Sequence, residues 1–260
     1  MDNFLRITAK DNPLIKLVCG LQSSAKERRK NGLFVLEGLR ICKDAYENGI
    51  RFDKLIISDT AYKKLADYIK TLSEISEKCY LLPDNLFSII ASTDSPQGII
   101  AVAKIGEKNS EINKKGRYIA LENLSDPSNL GAISRTAEAL GITGILISGD
   151  SCDPYSPKAL RASMGTLLRI PLIICDNLID TIKDSSLNAY ACVVDSDAKP
   201  ITSVNFTDGD VVIIGNEANG LTDYAKSAAK ERITIPMNGK AESLNAAAAA
   251  AISMWEMIKQ

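Results

Sequence analysis

Three short stretches place Gly, Asn, Ser, Arg and Glu where apolar runs stop. They are Asp126-Pro-Ser-Asn129-Leu-Gly131-Ala-Ile-Ser-Arg135-Thr, Ile214-Gly215-Asn216-Glu217-Ala-Asn-Gly220-Leu221, and Ile235-Pro-Met237 leading into Ser243-Leu244-Asn245. Ligand sites of open α/β sheets are built at such strand ends. In the first stretch Pro127 suits the entry to a helix, and Ser128 or Asn129 can cap it. Arg135 falls one turn beyond Gly131, which lets backbone approach something closely or lets the helix lie close on the sheet. A simple cap followed by a salt-bridged surface arginine would look the same. In the second stretch two glycines bracket a carboxylate, bringing backbone amides and Glu217 to the sheet edge. A plain strand-to-helix turn would explain the glycines and leave Glu217 incidental. In the third, Ser243 or Asn245 caps a helix that begins with six alanines, Ala246 to Ala251. Alanine favours helix and admits close contact, with a binding segment or with core alone.

One absence narrows the chemistry. The chain has no histidine, which excludes Ser-His-Asp and Cys-His catalysis and histidine-based zinc sites. No metal site is expected. Acid–base work must fall to carboxylates, Lys, Tyr or substrate groups. Neither G-x-G-x-x-G nor the phosphate-binding G-x-x-x-x-G-K-[ST] occurs, which argues against a dinucleotide dehydrogenase or an ATPase. The net charge of −1 gives no global attraction to nucleic acid. A local basic patch exists at Lys26, Arg28, Arg29 and Lys30, following Lys10 and Lys16, although a solvated helix face would read alike.

The elements that must position these residues follow from the apolar periodicity. The 260 residues suit one large or two modest domains. Residues 1–104 alternate helix and strand patterns. The spacing predicts helices over 12–30, 39–47 and 62–71 and a short one opened by Pro83-Asp84, with strands at 33–36, 54–57, 80–82 and 98–103. Residues 105–116, polar and ended by glycines, read as a linker. From 117 to 260 the strands are continuous apolar runs, at 118–121, 144–147, 171–174, 190–194, 211–214 and 232–235. Such runs mark strands buried on both faces in a parallel sheet. Helix patterns at 129–140, 157–168, 178–185 and 221–229 lie between most of them, which predicts a doubly wound α/β domain. No apolar run reaches the roughly 18 residues of a membrane helix. The start lacks a signal-peptide pattern, and the six scattered cysteines read as buried reduced thiols, so a cytoplasmic protein is expected.

The three stretches, in this order, resemble motifs one, two and three of the SpoU (TrmH-like) RNA ribose 2′-O-methyltransferases of the SPOUT superfamily. Ser156-Pro-Lys158-Ala-Leu-Arg161-Ala-Ser163-Met-Gly165 is similar to a further segment of that family. Phe34-Val-Leu-Glu37-Gly38 and Ser95-Pro-Gln97-Gly98-Ile99 more weakly resemble its ribosomal-protein-like (L30e-like) RNA substrate-binding domain. The resemblance implies a trefoil knot in the second domain, a homodimer, and S-adenosylmethionine held by Gly215, Ile235 and Leu244, with Glu217, Met237 and Asn245 as neighbours. It gives the key role to Arg135. Arginine stays protonated, so the expected role is to grip a phosphate and the 2′-oxygen and stabilise the developing alkoxide. Asn129 would brace the substrate or Arg135, and Glu217 would orient Arg135 or the loop. Ser243 and Asn245 would hold the cofactor and ribose side. RNA contacts are expected from Lys26, Arg28, Arg29, Lys30, Lys158 and Arg161. The N-terminal domain favours ribosomal (23S) RNA as substrate. Transfer RNA, or a non-catalytic RNA-binding relative, is the alternative.

Overall fold

A computed structural model describes residues 4–106 and 111–259. The predicted linker therefore falls in part, at 107–110, outside the described residues. The chain divides into two compact units, Met1–Glu107 with Tyr155–Arg161, and Lys108–Pro154 with Ala162–Gln260.

The first unit runs β1 (Phe4–Arg6), α1 (Pro13–Ser23), α2 (Ala25–Asn31), β2 (Leu33–Glu37), α3 (Leu39–Glu47), β3 (Phe52–Ser58), α4 (Asp59–Lys64), α5 (Ala66–Glu74), β4 (Ser76–Leu82), α6 (Asp84–Ile90) and β5 (Ile99–Lys104). Its sheet has the order β1-β4-β3-β5-β2, with β5 antiparallel to both neighbours and the rest parallel. Val18 and Leu21 of α1 and Phe87 of α6 pack on Val35, Ile56, Ile100 and Val102 of the strands. Cys42 of α3 is fully buried, and that burial pushes its thiol up to about 12. The helix expected over 12–30 is two helices. Ser24 leaves helical geometry (φ −130°, ψ 118°), and its hydroxyl accepts the Glu27 N–H as the cap of α2. The helix expected at 62–71 is likewise two, parted at Leu65.

The second unit carries β6 (Tyr118–Leu121), α7 (Pro127–Ala139), β7 (Gly144–Ser148), β8 (Leu172–Cys175), α9 (Leu178–Asp184), β9 (Asn188–Cys192), β10 (Lys199–Pro200), β11 (Asp210–Ile214), α10 (Asp223–Ala228), β12 (Glu231–Thr234) and α11 (Ala246–Ile258). Between β7 and β8, the helix expected over 157–168 ends at Ser163. Met164 and Gly165 both take positive φ, and a 3₁₀ turn, Thr166–Leu168, follows. All seven strands are parallel, in the order β10-β12-β9-β11-β6-β7-β8. Tyr118, Ala120, Val211 and Ile213 face one core with Ile179 and Ile182 of α9. The alternate residues Ile119, Leu121, Val212 and Ile214 are equally buried. Both faces are thus covered, as the continuous apolar runs require. On leaving β8 the chain crosses to the far side of β6, so the β6–β11 boundary is where strand order reverses. That is the position at which such sheets bind ligands.

Candidate active site

The loops leaving β6 and β11 meet at that boundary. Motif one opens α7 with Asp126, not Ser128 or Asn129, as the cap: its carboxylate accepts the Ser128 N–H at 2.9 Å, with Pro127 in the first turn. This leaves the Asn129 amide free for a tertiary role. Gly131 faces α8 (Pro157–Ser163), where an added Cβ would lie 2.5 Å from Ala162 Cβ and 2.6 Å from Ser163 N. Its glycine therefore serves the contact of two helix backbones, neither a ligand nor the sheet.

Motif two is a tight loop after β11. Asn216 and Gly220 exchange backbone hydrogen bonds of 3.1 and 2.9 Å, and Gly220 has a φ of +66°. A Cβ on Gly215 would lie 2.3 Å from Gly220 C, so only glycine lets the loop close on itself. Glu217 is the hub. Its Oε2 accepts from Ser125 N (3.0 Å) and Ser125 Oγ (2.6 Å), and its Oε1 from Asp126 N (3.1 Å) and Asn129 Nδ2 (2.9 Å). Partial burial alone would push this carboxyl up. The donors from Ser125 and Asn129 outweigh it and hold the group down at about 2. The half-buried Cys152 thiol nearby is pushed up to about 12, by burial first and then by the charges of Glu217, Asp126 and Asp153.

Motif three joins the same chain of bonds. Asn245 is the cap of α11, its Oδ1 accepting the Ala247 N–H at 2.9 Å, while its Nδ2 donates to Asn129 Oδ1 at 3.1 Å. The sequence Glu217–Asn129–Asn245 thus links all three motifs. The alanine-rich helix packs on α7 and β11, which its small side chains permit.

A cleft of about 510 Å³ lies along the ends of β9, β11 and β12. Gly215, Glu217, Ile235, Met237, Ser243 and Leu244 all line it, together with Leu221 and the ion pair Arg232–Asp195 (2.8 Å). Asn129, Asn245 and Arg135 are not among its lining residues; Asn129 is bonded to the lining residue Glu217 and to Asn245. Arg135, on α7, is exposed and makes no hydrogen bond or ion pair among the described residues. Glu217 thus bonds to the Ser125–Asn129 segment and not to Arg135, and Asn129 bonds to Glu217 and Asn245. Residues that the spacing did not single out are Ser125, Asn216 and Thr222. Asn216 lies within the second stretch, while Ser125 and Thr222 directly flank the first and second, which was the one available signal.

The basic residues fare unequally. Lys26, Arg29, Lys30 and Lys158 are exposed. Arg161 is also exposed and donates to Ser92 Oγ at 2.7 Å, while Ser92 N donates to Glu37 at 2.8 Å. Arg28 departs from the expectation. It is buried, and its guanidinium donates to the carbonyls of Leu21 and Gln22 at the end of α1. The kink at Ser24 turns this one cation inward, where it satisfies orphan helix carbonyls.

Residues 116–255 match the model of the SpoU rRNA Methylase family, and residues 12–101 that of the MRM3-like substrate binding domain. The chain is 30% identical over 258 residues to an uncharacterized tRNA/rRNA methyltransferase of Synechocystis sp., covering 98% of this chain and 93% of that protein. It is 27% identical over 234 residues to the 23S rRNA (guanosine(2553)-2′-O)-methyltransferase RlmP of Bacillus subtilis, covering 89% and 91%. The crystal structure of the AdoMet-bound rRNA methyltransferase from Sinorhizobium meliloti superposes with a TM-score of 0.86 at 26% identity, covering 98% of each chain.

Proposed function

The chain belongs to the SpoU rRNA methylase family, and from that premise we propose that its second unit transfers a methyl group from S-adenosylmethionine to a ribose 2′-hydroxyl of ribosomal RNA. The observation that carries this reading is the Glu217–Asn129–Asn245 chain, which ties three separated motifs together beside one cleft while Arg135 makes no hydrogen bond or ion pair among the described residues. The likeness to the 23S rRNA methyltransferase RlmP of Bacillus subtilis supports a ribosomal substrate, and the MRM3-like match of the first unit supports a substrate-binding role for that unit.

The cleft fits the methyl donor. Its volume lies in the roughly 300–1,000 Å³ range of small-molecule sites. Gly215 exposes backbone where a Cβ would not fit, Leu221, Ile235, Met237 and Leu244 offer apolar faces to a flat purine, and Asp195 and Arg232 offer charge to an amino-acid end. Bound S-adenosylmethionine supplies an electrophilic methyl group on a sulfonium. The protein's part is positioning and charge. The Arg135 guanidinium, always protonated, holds a phosphate beside the target ribose and the 2′-oxygen, stabilising the alkoxide as its proton leaves to a phosphate oxygen or water. Glu217, ionised throughout the neutral range, keeps the loop of motif two against the start of α7. Asn129 and Asn245 hold the third motif in line, and Ser243 borders the donor.

RNA would be held by Lys26, Arg29, Lys30, Lys158 and Arg161, whose contacts read backbone and shape more than sequence. A homodimer belongs to the same reading: Ala248, Ile252 and Trp255 form an exposed stripe on α11, with Ile252 37% and Trp255 55% exposed, that a second copy would cover. So do the trefoil threading and a cytoplasmic location; no helix among the described residues is long and apolar enough to cross a membrane. The test is labelled methyl transfer to ribosomal RNA from cells lacking the gene, followed by mapping of the product. Ribose methylation at one nucleotide is expected. Methylation of a base, or none with intact donor binding, would overturn the proposal.

A further inference from the structure

Glu122 sits where β6 ends, 6% exposed, and the chemistry above gives it no task. Its Oε2 accepts the Thr222 N–H at 2.8 Å and its Oε1 the Thr222 hydroxyl at 2.7 Å. Its own N–H donates to Ile214 O at 2.9 Å. A buried carboxylate is costly to keep, and here hydrogen bonds alone offset the cost, with no ion pair to it among the described residues. What it holds is specific. Thr222 ends the loop of motif two and caps α10, accepting the Ala225 N–H at 3.1 Å. Gly220 and Leu221, just before it, line the cleft. The next residue, Asn123, adopts a φ of 55°, and its carbonyl accepts from Asn216 Nδ2 at 2.8 Å. Neighbouring residues of one segment therefore grip the loop's exit and its entry.

We propose that Glu122 is a positioning residue for the methyl-donor site: by fixing Thr222 it sets the shape of the Gly215–Leu221 loop and hence the affinity for S-adenosylmethionine. The inference rests on the reading of the cleft as the donor site. Asp210 provides an internal control. It is also a buried carboxylate held by hydrogen bonds, from Asn188 Nδ2 (3.0 Å), Thr207 N (2.7 Å) and the Thr207 hydroxyl (3.4 Å), with no ion pair to it among the described residues, but at the opposite end of β11.

The experiment compares donor titration calorimetry, steady-state methyl transfer and Tm for the full chain and its Glu122→Gln, Thr222→Val, Thr222→Ser and Asp210→Asn variants. Glu122→Gln and Thr222→Val should raise Kd and KM for S-adenosylmethionine by about tenfold, the worth of one charge-assisted hydrogen bond, with kcat at saturating donor retained. Thr222→Ser, which keeps the hydroxyl, should bind as the native chain does. Asp210→Asn should lower Tm and leave Kd alone. Unchanged Kd in Thr222→Val, or an equal rise in Asp210→Asn, would overturn the inference; Thr222→Val keeps the test alive if Glu122→Gln does not fold. If the native chain binds no S-adenosylmethionine, the site reading itself falls. If it binds and the variants match it, only the role of Glu122 falls.

Discussion

Both ends of the seven-stranded sheet carry hydrogen-bonded polar side chains and use them differently. At the amino ends, Arg117 donates to Asp208 (3.1 Å) and to the carbonyl of Met257, the Asn113 N–H donates to the Tyr118 hydroxyl (2.9 Å), and Asp210 collects Asn188 and Thr207. These bonds fasten loops and the end of α11 to the strands beside them. At the carboxyl ends, Glu217, Asn129 and Asn245 are likewise hydrogen-bonded, but the loops they tie together border a cleft, and Arg135 of α7 has no hydrogen bond or ion pair among the described residues. Saturation with hydrogen bonds does not distinguish a site from a scaffold. What distinguishes it is which surface the bonds rigidify and which charge they leave over.

Arg135→Ala should break that contrast most severely. Removing one charge-stabilising donor lowers turnover by about 10²–10³, while calorimetry should find donor affinity intact. Single-turnover rates near those of the native chain would remove Arg135 from the mechanism. Next comes a matched glycine pair. Gly215→Ala forces a Cβ onto Gly220 and should weaken donor binding by on the order of tenfold or more. Gly144→Ala, whose Cβ would meet Pro171 O at 2.9 Å, should lower Tm and spare affinity. Equal losses of affinity would erase the difference between the two ends.

Acid supplies a subtler probe. The folded Glu217 carboxyl sits at about 2 against an ordinary 4.5. A depressed folded value means that its stabilisation is complete above 4.5 and fades as pH falls toward 2. Glu217→Gln should therefore melt below the native chain at neutral pH, by about 2–4 °C, with the gap closing across that window. A gap independent of pH would show that shape, not charge, is what Glu217 contributes. The smallest effect lies away from this sheet, in the first unit. Arg29→Glu with Lys30→Glu should lower RNA affinity and reduce the salt slope by roughly one per lost phosphate contact; filter binding over a salt series unchanged from native would return the patch to a solvated face.

Much of the site could be read in the sequence, because its residues are tied to strand ends and strands declare themselves. The runs at 118–121 and 211–214 are apolar at every position, so their burial on both faces and the site at their carboxyl ends follow together. Arg28 shows where such reading stops. In a run of like charges nothing local says which one points inward, and the answer depends on a helix break at Ser24. Even that break left a trace, since Ser24-Ala-Lys-Glu27 has the spacing of a capping box. The division at Leu65 left none, and neither did β1 and β10, which are short strands held by pairing with β4 and β12. The partners of Glu217 were illegible in a different sense. Its bonds to Ser125 and Asn129 span some ninety residues of chain, and only the meeting of β6 with β11 makes them local.

The two thiols held near 12 give the molecule a property unconnected with catalysis. A thiol reacts as its thiolate, so neither Cys42 nor Cys152 can be alkylated at an appreciable rate until its surroundings open. Their labelling rates are then separate clocks, one for the breathing of each unit. The second clock is wired to the site, because after burial the charges that add to the silencing of Cys152 are those of Glu217, Asp126 and Asp153. A small molecule that clamps the Glu217 loop would slow that clock and leave the first running, which turns one cysteine into a footprint of occupancy.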